Sequence, residues 1–165
     1  MSIYKEQRVG VLVDIQNLYY SAKVLFGKKA DFGAILKEAV GDRKLIRAIA
    51  YGISTIDRQE GKFFEALEKL GYEVKSKDLQ LFPGGAKKGD WDVGITVDAI
   101  KLSKSLDVIV LVSGDGDYMH LVEYLQNTTG CRVEGMAFGE STSNKLIEEL
   151  DFFTNLSKNK KKFLI

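Results

Sequence analysis

Val108-Ile109-Val110-Leu111-Val112 is a run of five aliphatic residues, four of them β-branched, closed by Ser113-Gly114. Successive residues of a strand point to opposite faces, so a run that is apolar at every position is buried on both sides. That pattern suits a central strand of a parallel sheet with helices packed above and below it. Working outward, Arg8-Val9-Gly10-Val11-Leu12-Val13, Lys44 to Tyr51 and Cys131 to Phe138 read as further strands. Tyr72-Glu73-Val74-Lys75 alternates and is shorter, as a peripheral strand does, and can continue toward Leu79-Gln80-Leu81.

Between these runs the apolar period becomes helical. Phe63, Phe64, Leu67 and Leu70 form one stripe, stopped by Gly71. Val93, Val97, Ile100 and Leu102 form a second, from about Trp91 to Lys104, and Leu121, Val122, Tyr124 and Leu125 a third that ends before Gly130. Leu146, Ile147, Leu150 and Phe153 predict a fourth helix, with several candidate caps in Ser141-Thr142-Ser143-Asn144. Strands alternating with helices imply a doubly wound α/β fold: a mainly parallel sheet of about five strands, right-handed crossovers and helices on both faces. Segments 9–13 and 108–112 are expected to be neighbours in that sheet.

The composition narrows the chemistry. The chain has 165 residues, with 24 Lys+Arg against 23 Asp+Glu, and a single His, Cys and Pro. One domain over residues 1–157 is expected, followed by a basic tail at 158–165 whose lysines read as solvated and mobile. Cys131 has no intrachain partner, and one Cys with one His cannot make a zinc site of the usual kind. The polar start and short apolar runs predict no membrane span and a reducing, cytoplasmic location. Any catalysis must then rest on carboxylates. Gly84-Gly85-Ala86-Lys87-Lys88-Gly89-Asp90 lacks the phosphate-loop spacing, and Gly114-Asp115-Gly116 has Met119 where a dinucleotide fingerprint needs glycine. Ser113 with His120 is a weak nucleophile pair, since helical spacing turns His120 away.

Ligands of an open parallel sheet bind beyond the carboxyl ends of its strands, near the reversal of strand order. Asp14-Ile15-Gln16-Asn17 follows the first strand, Ser113-Gly114-Asp115-Gly116-Asp117-Tyr118 follows the central one, and Asp90-Trp91-Asp92 opens a helix. Each taken singly reads as a helix cap or a tight turn. Three such sites carrying acids together suit an oxygen-ligated Mg²⁺ or Mn²⁺. Asp98, six residues after Asp92, falls on another face of the same helix and is the weakest candidate.

These residues resemble a known family. Val11-Leu12-Val13-Asp14-Ile15-Gln16-Asn17-Leu18-Tyr19, Lys88-Gly89-Asp90-Trp91-Asp92-Val93 with Asp98, and Ser113 to Tyr118 are similar to the motifs of the NYN domain, in its LabA-like group of PIN-like proteins. Ser143-Asn144-Lys145-Leu146 to Asp151-Phe152-Phe153 fits the final helix of that group. The resemblance spans nearly the whole chain and implies a Rossmann-like PIN fold with a Mg²⁺- or Mn²⁺-dependent ribonuclease-type centre. Its acidic positions fall on Asp14, Asp92, Asp115 and Asp117, with Asn17 as polar partner and Asp98 as an additional acid. On this reading Asp14 and Asp115 are the principal ligands, and Asp92 and Asp117 hold a second ion or bound waters. Lys87 and Lys88 neutralise the RNA backbone, while Tyr19, Tyr20, Trp91 and Tyr118 stack single-stranded bases. The rivals are a non-catalytic RNA- or protein-binding module and, further off, a small-molecule phosphatase; a homo-oligomer is compatible with each reading.

Overall fold

The double-sided run at 108–112 lies in the middle of the sheet, and the rest of the fold is arranged around it. The computed structural model describes residues 4–54, 58–81, 83–84 and 87–165, with residues 58, 80, 81, 87 and 88 described by backbone alone. The chain forms β1 (Arg8–Asp14), α1 (Ile15–Phe26), α2 (Phe32–Val40), β2 (Lys44–Ser54), α3 (Arg58–Leu70), β3 (Glu73–Asp78), β4 (Gln80–Leu81) and β5 (Lys87–Lys88). There follow α4 (Asp92–Ser103), β6 (Val108–Val112), α5 (Met119–Tyr124), β7 (Arg132–Ala137), α6 (Asn144–Glu149), β8 (Phe152–Asn155) and α7 (Lys160–Phe163). Six strands make one sheet in the order β3-β2-β1-β6-β7-β8, every pair parallel. Strand order reverses between β1 and β6, which pair from Val9↔Val108 to Val13↔Val112, as the 9–13 and 108–112 segments predict.

Both faces of the central strands are covered. Val108, Val110 and Val112 join Val9, Val11 and Val13 in the layer under α1 and α2. Ile109, Leu111 and Leu12 face the opposite layer, with Ile95 and Ala99 of α4 and Leu121, Val122 and Leu125. The alternation that a two-sided strand requires is therefore present residue by residue.

Four expectations are corrected. The sheet has six strands rather than five, because Phe152–Asn155 adds an edge strand beside β7. Phe153 accordingly belongs to β8 and not to the fourth helix, which stops at Glu149 because Leu150 turns to an extended backbone. The residues after β3 do not extend it: Gln80–Leu81 turns back as an antiparallel ribbon with Lys87–Lys88. The basic tail is docked, since Phe163 and Leu164 are 3% and 8% exposed and Leu164 bridges to Ala30. Lysines punctuate the tail sequence, but two apolar side chains and the backbone bonds Asp31 N–H to Phe163 O (2.8 Å) and Ile165 N–H to Lys29 O (2.8 Å) hold it down.

Candidate metal centre

Each acid is placed by local backbone chemistry at the carboxyl edge of the sheet. Asp14 ends β1 and caps α1, accepting from the Asn17 backbone N–H at 3.3 Å. Asp115 follows the central strand and accepts from the Asp117 N–H at 2.9 Å, opening a short 3₁₀ turn at Gly116–Tyr118. Asp92 is the first residue of α4; Trp91 before it makes no side-chain cap bond, and Asp90 Oδ1 accepts the Asp92 N–H at 3.1 Å. Capping and site-building are thus compatible roles: one carboxylate oxygen orders the backbone while the group as a whole faces the edge.

Hydrogen bonds knit these turns together. Ser113 Oγ donates to Asp14 Oδ2 at 3.3 Å and accepts from the Asp115 N–H at 3.2 Å. Asn17 Oδ1 accepts the Gly114 N–H at 2.9 Å, so its side chain positions the loop after β6. A Cβ at Gly114 would come within 2.7 Å of Thr142 Oγ1 and 3.1 Å of the Ser141 carbonyl, and the loop cannot close on a larger residue. The glycine in Ser113-Gly114-Asp115 is required by this approach of the 138–143 segment.

The structure gathers Asp92, Asp115 and Asp117, each offering a carboxylate oxygen within 4.8 Å of the others. Asp14 lies beside this group rather than within it, and interacts electrostatically with Asp92 and Asp115. Burial raises the Asp14 carboxyl to about 6; the Asn17 and Ser113 hydrogen bonds oppose that rise, and the Asp92 and Asp115 charges add to it. Asp92 is raised by its own burial and by the Asp115 charge, against the Tyr118 hydroxyl, which donates to Asp92 Oδ1 at 3.1 Å. Among the ion pairs formed by described residues, none reaches these four acids.

Such a set has a donor chemistry of its own. Three carboxylates close enough to share one ion, with no imidazole or thiolate among them, fit a hard divalent cation such as Mg²⁺ or Mn²⁺. The sequence-level pairing of Asp14 with Asp115 as principal ligands thus meets a different grouping, in which Asp92 and Asp117 stand with Asp115.

The NYN domain family model matches residues 8–157. The chain belongs to the NYN family. NYN domains are a PIN-like nuclease family, and the parallel sheet with acids at its switch point agrees with that class. The low amplitude and bright protein LabA of Synechococcus elongatus is 29% identical over 132 residues, covering 74% of this chain and 70% of LabA. A crystal structure of a Vibrio parahaemolyticus protein of unknown function superposes with a TM-score of 0.89 at 34% identity, covering 98% of each chain.

Other residues singled out in the NYN chain take different places. Asp98 points away from the cluster, accepting from Tyr51 Oη and Lys75 Nζ, each at 2.8 Å. Burial would raise its carboxyl, but Lys75 and Tyr51 hold it below its ordinary value. Tyr118 is 1% exposed and committed to Asp92, so it is not a base-stacking surface. Trp91 packs against Tyr51, donates Nε1–H to the Gly52 carbonyl at 2.8 Å and carries the Lys77 ammonium 4.7 Å above its ring. Tyr19 and Tyr20 are exposed on α1. The expected role of Lys87 and Lys88 concerns side chains outside the described residues. Ser113 is bound to Asp14, whereas the exposed His120 stands near Glu123. Among the described residues, no helix is long and apolar enough to cross a membrane. The sequence reading missed Ser113 and Tyr118 as partners of the acids; their places directly after β6 and Asp117 were the available signal.

Proposed function

We propose that this NYN domain is a divalent-metal-dependent ribonuclease that hydrolyses phosphodiesters of single-stranded RNA. The observation that carries the reading is the Asp92–Asp115–Asp117 group, three carboxylates with oxygens within 4.8 Å at the switch point of a nuclease-family sheet. Asp92, Asp115 and Asp117 would hold Mg²⁺ or Mn²⁺, with Asp14 bordering the ion. Bound there, the metal supplies Lewis-acid charge at the phosphoryl oxygens and makes water a stronger nucleophile near neutral pH.

The protein's own groups set the conditions for that chemistry. Four clustered carboxylates repel a phosphodiester, so substrate approaches closely only when a cation offsets them. Asp14 is buried and its carboxyl is raised to about 6 in the metal-free protein, and a cation bordering it would favour the ionised form. Ser113 keeps Asp14 and the Asp115 backbone in fixed relation, and Asn17 holds Gly114 so that the turn does not open. Tyr118 fixes the rotamer of Asp92.

The test is cleavage of an end-labelled single-stranded RNA with Mn²⁺, with EDTA, and by the Asp115→Asn protein. Mn²⁺-dependent cleavage that EDTA and Asp115→Asn abolish is the expected result. No cleavage by the wild-type protein, or equal cleavage by Asp115→Asn, would overturn the reading. Release of phosphate from small phosphoesters in place of RNA cleavage would reassign the site to a phosphatase.

A further inference from the structure

The acidic centre cannot itself hold RNA, because it repels phosphate. The net charge of the chain is only +1, so affinity must come from an uneven distribution of its 24 basic residues. The fold produces one. Lys23, Lys28 and Lys29 are exposed at the end of α1 and in the turn before α2, and Lys158, Lys160 and Lys161 are exposed on the C-terminal segment. More than a hundred positions apart in sequence, the two segments meet because the C-terminal residues dock on that turn. Lys29 N–H bonds the Ile165 carbonyl at 3.2 Å, the Ile165 N–H bonds the Lys29 carbonyl at 2.8 Å, and Lys160 Nζ sits 4.7 Å above the Phe26 ring.

A shallow cleft of about 330 Å³ runs between Tyr19, Lys23, Gly27, Lys28, Lys29 and Ile165. Tyr19 is 40% exposed, with Lys23 Nζ 5.9 Å from its ring centroid. An aromatic face beside ammonium groups is what single-stranded RNA requires, one for a base and the others for its phosphates. Acids stand nearby as well: Glu38 takes Lys162 at 2.6 Å, Asp31 caps α2 and Glu140 acts on Lys160, so the exposed lysines are offset only in part.

This surface is joined to the acidic centre by short connections. α1 starts at the Asp14 cap, and its 12 residues span about 18 Å to the lysines. Ser141 Oγ donates to Ser21 Oγ at 2.9 Å, and Phe26 packs on Phe138 with centroids 5.6 Å apart, fixing the far half of α1 to the 138–143 segment. That same segment closes over Gly114, with the Ser143 N–H on its carbonyl at 3.1 Å.

The geometry points to a single-stranded RNA track along α1, leaving the acidic centre past Tyr19 and ending on the lysines that the docked C-terminal helix brings to the α1–α2 turn. The inference rests on the ribonuclease reading for its ligand, but its test does not depend on turnover. In EDTA, fluorescence anisotropy of a labelled oligouridylate would be followed for the wild-type chain and for Lys28→Gln/Lys29→Gln/Lys161→Gln, between about 50 and about 200 mM salt. The triple variant should bind at least about tenfold more weakly at the lower salt. Its log K against log salt slope should be shallower by about 2, at about 0.7 for each single-strand phosphate no longer neutralised. The matching Lys→Arg variant should bind like wild type, and all three proteins should show the same melting shift with Mn²⁺.

Unchanged affinity and slope in the triple variant would overturn the track, whatever the cleavage result. Binding that the Lys→Arg protein also loses would overturn it too, since charge would then not be the cause. Lysine-dependent binding without any Mn²⁺-dependent cleavage would instead remove the ribonuclease reading and leave the track standing.

Discussion

Asp14→Asn separates a carboxylate raised by burial from a simple helix cap. In the metal-free protein the folded state holds the Asp14 proton to about 6, against an ordinary value of 3.8. An acid whose carboxyl is raised on folding favours the native state while protonated. Its contribution is fully present below the unfolded value and is lost as pH climbs through about 6. At about 1.4 kcal/mol per pH unit, ionised Asp14 costs the folded state about 3 kcal/mol, and its near-complete burial leaves little solvent screening to reduce that. Asparagine caps a helix as well as aspartate and can still accept the Asn17 N–H, but it carries no charge.

The expectation is that wild type and Asp14→Asn melt within a few degrees of each other near pH 4 in EDTA, and diverge as pH rises. Near pH 7.5 the variant should be more stable by about 2–3 kcal/mol, or roughly 6–10 °C for a domain of this size. Mn²⁺ at a hundredfold excess over its Kd should add about 2.7 kcal/mol to wild type and flatten its decline with pH, because a neighbouring cation favours the ionised carboxylate. Thermal melts over pH 4–8, with EDTA and with Mn²⁺, read both effects. A constant difference between the two proteins across that range would refute the raised Asp14 carboxyl and burial as its cause.

Three further outcomes concern particular side chains. Tyr118→Phe removes the hydroxyl donated to Asp92, so it should cost about 1 kcal/mol and move the Asp92 carboxyl further up, read as a pH-dependent stability loss displaced to higher pH. Arg43→Ala strips the bidentate partner from the buried Glu134, leaving only Arg132. Chemical denaturation should show a loss of about 3 kcal/mol, and adding Glu134→Gln should recover part of it; strict additivity would count against the pair. Phe163→Ala should undock the C-terminal segment at a cost of about 3 kcal/mol, seen as faster hydrogen exchange at the Asp31 and Ile165 amides, while unchanged protection there would show that Phe163 is not the anchor.

Residues that answer to their chain neighbours were legible in the sequence. The run Val108–Val112 declares two buried faces because strand side chains alternate, and both layers of the core meet it as that pattern demands. Asp14 and Ser143 were readable as caps because the acceptor and the N–H it serves lie three residues apart. α2 went unread although Phe32, Ile35, Leu36 and Ala39 carry its buried stripe behind the Asp31 cap. β8 had no comparable signal: it is short, lies at the edge and has an exposed Phe152, so its residues lack a two-faced pattern.

The sequence by itself determined that acids would stand at the carboxyl ends of parallel strands, because strand ends and helix starts are local events. Tertiary structure alone decided which acids meet. Asp92 and Asp117 join Asp115, Asp14 reaches Asp115 only through Ser113 by two hydrogen bonds, and Asp98 is diverted to Lys75 and Tyr51. It also turned a lysine-rich tail into a docked helix, since two buried side chains and a few backbone bonds outweigh the solvation of its charges. These groupings depend on the strand order and on loops closing across the sheet edge, which bring together residues about a hundred positions apart that no periodicity along the chain encodes.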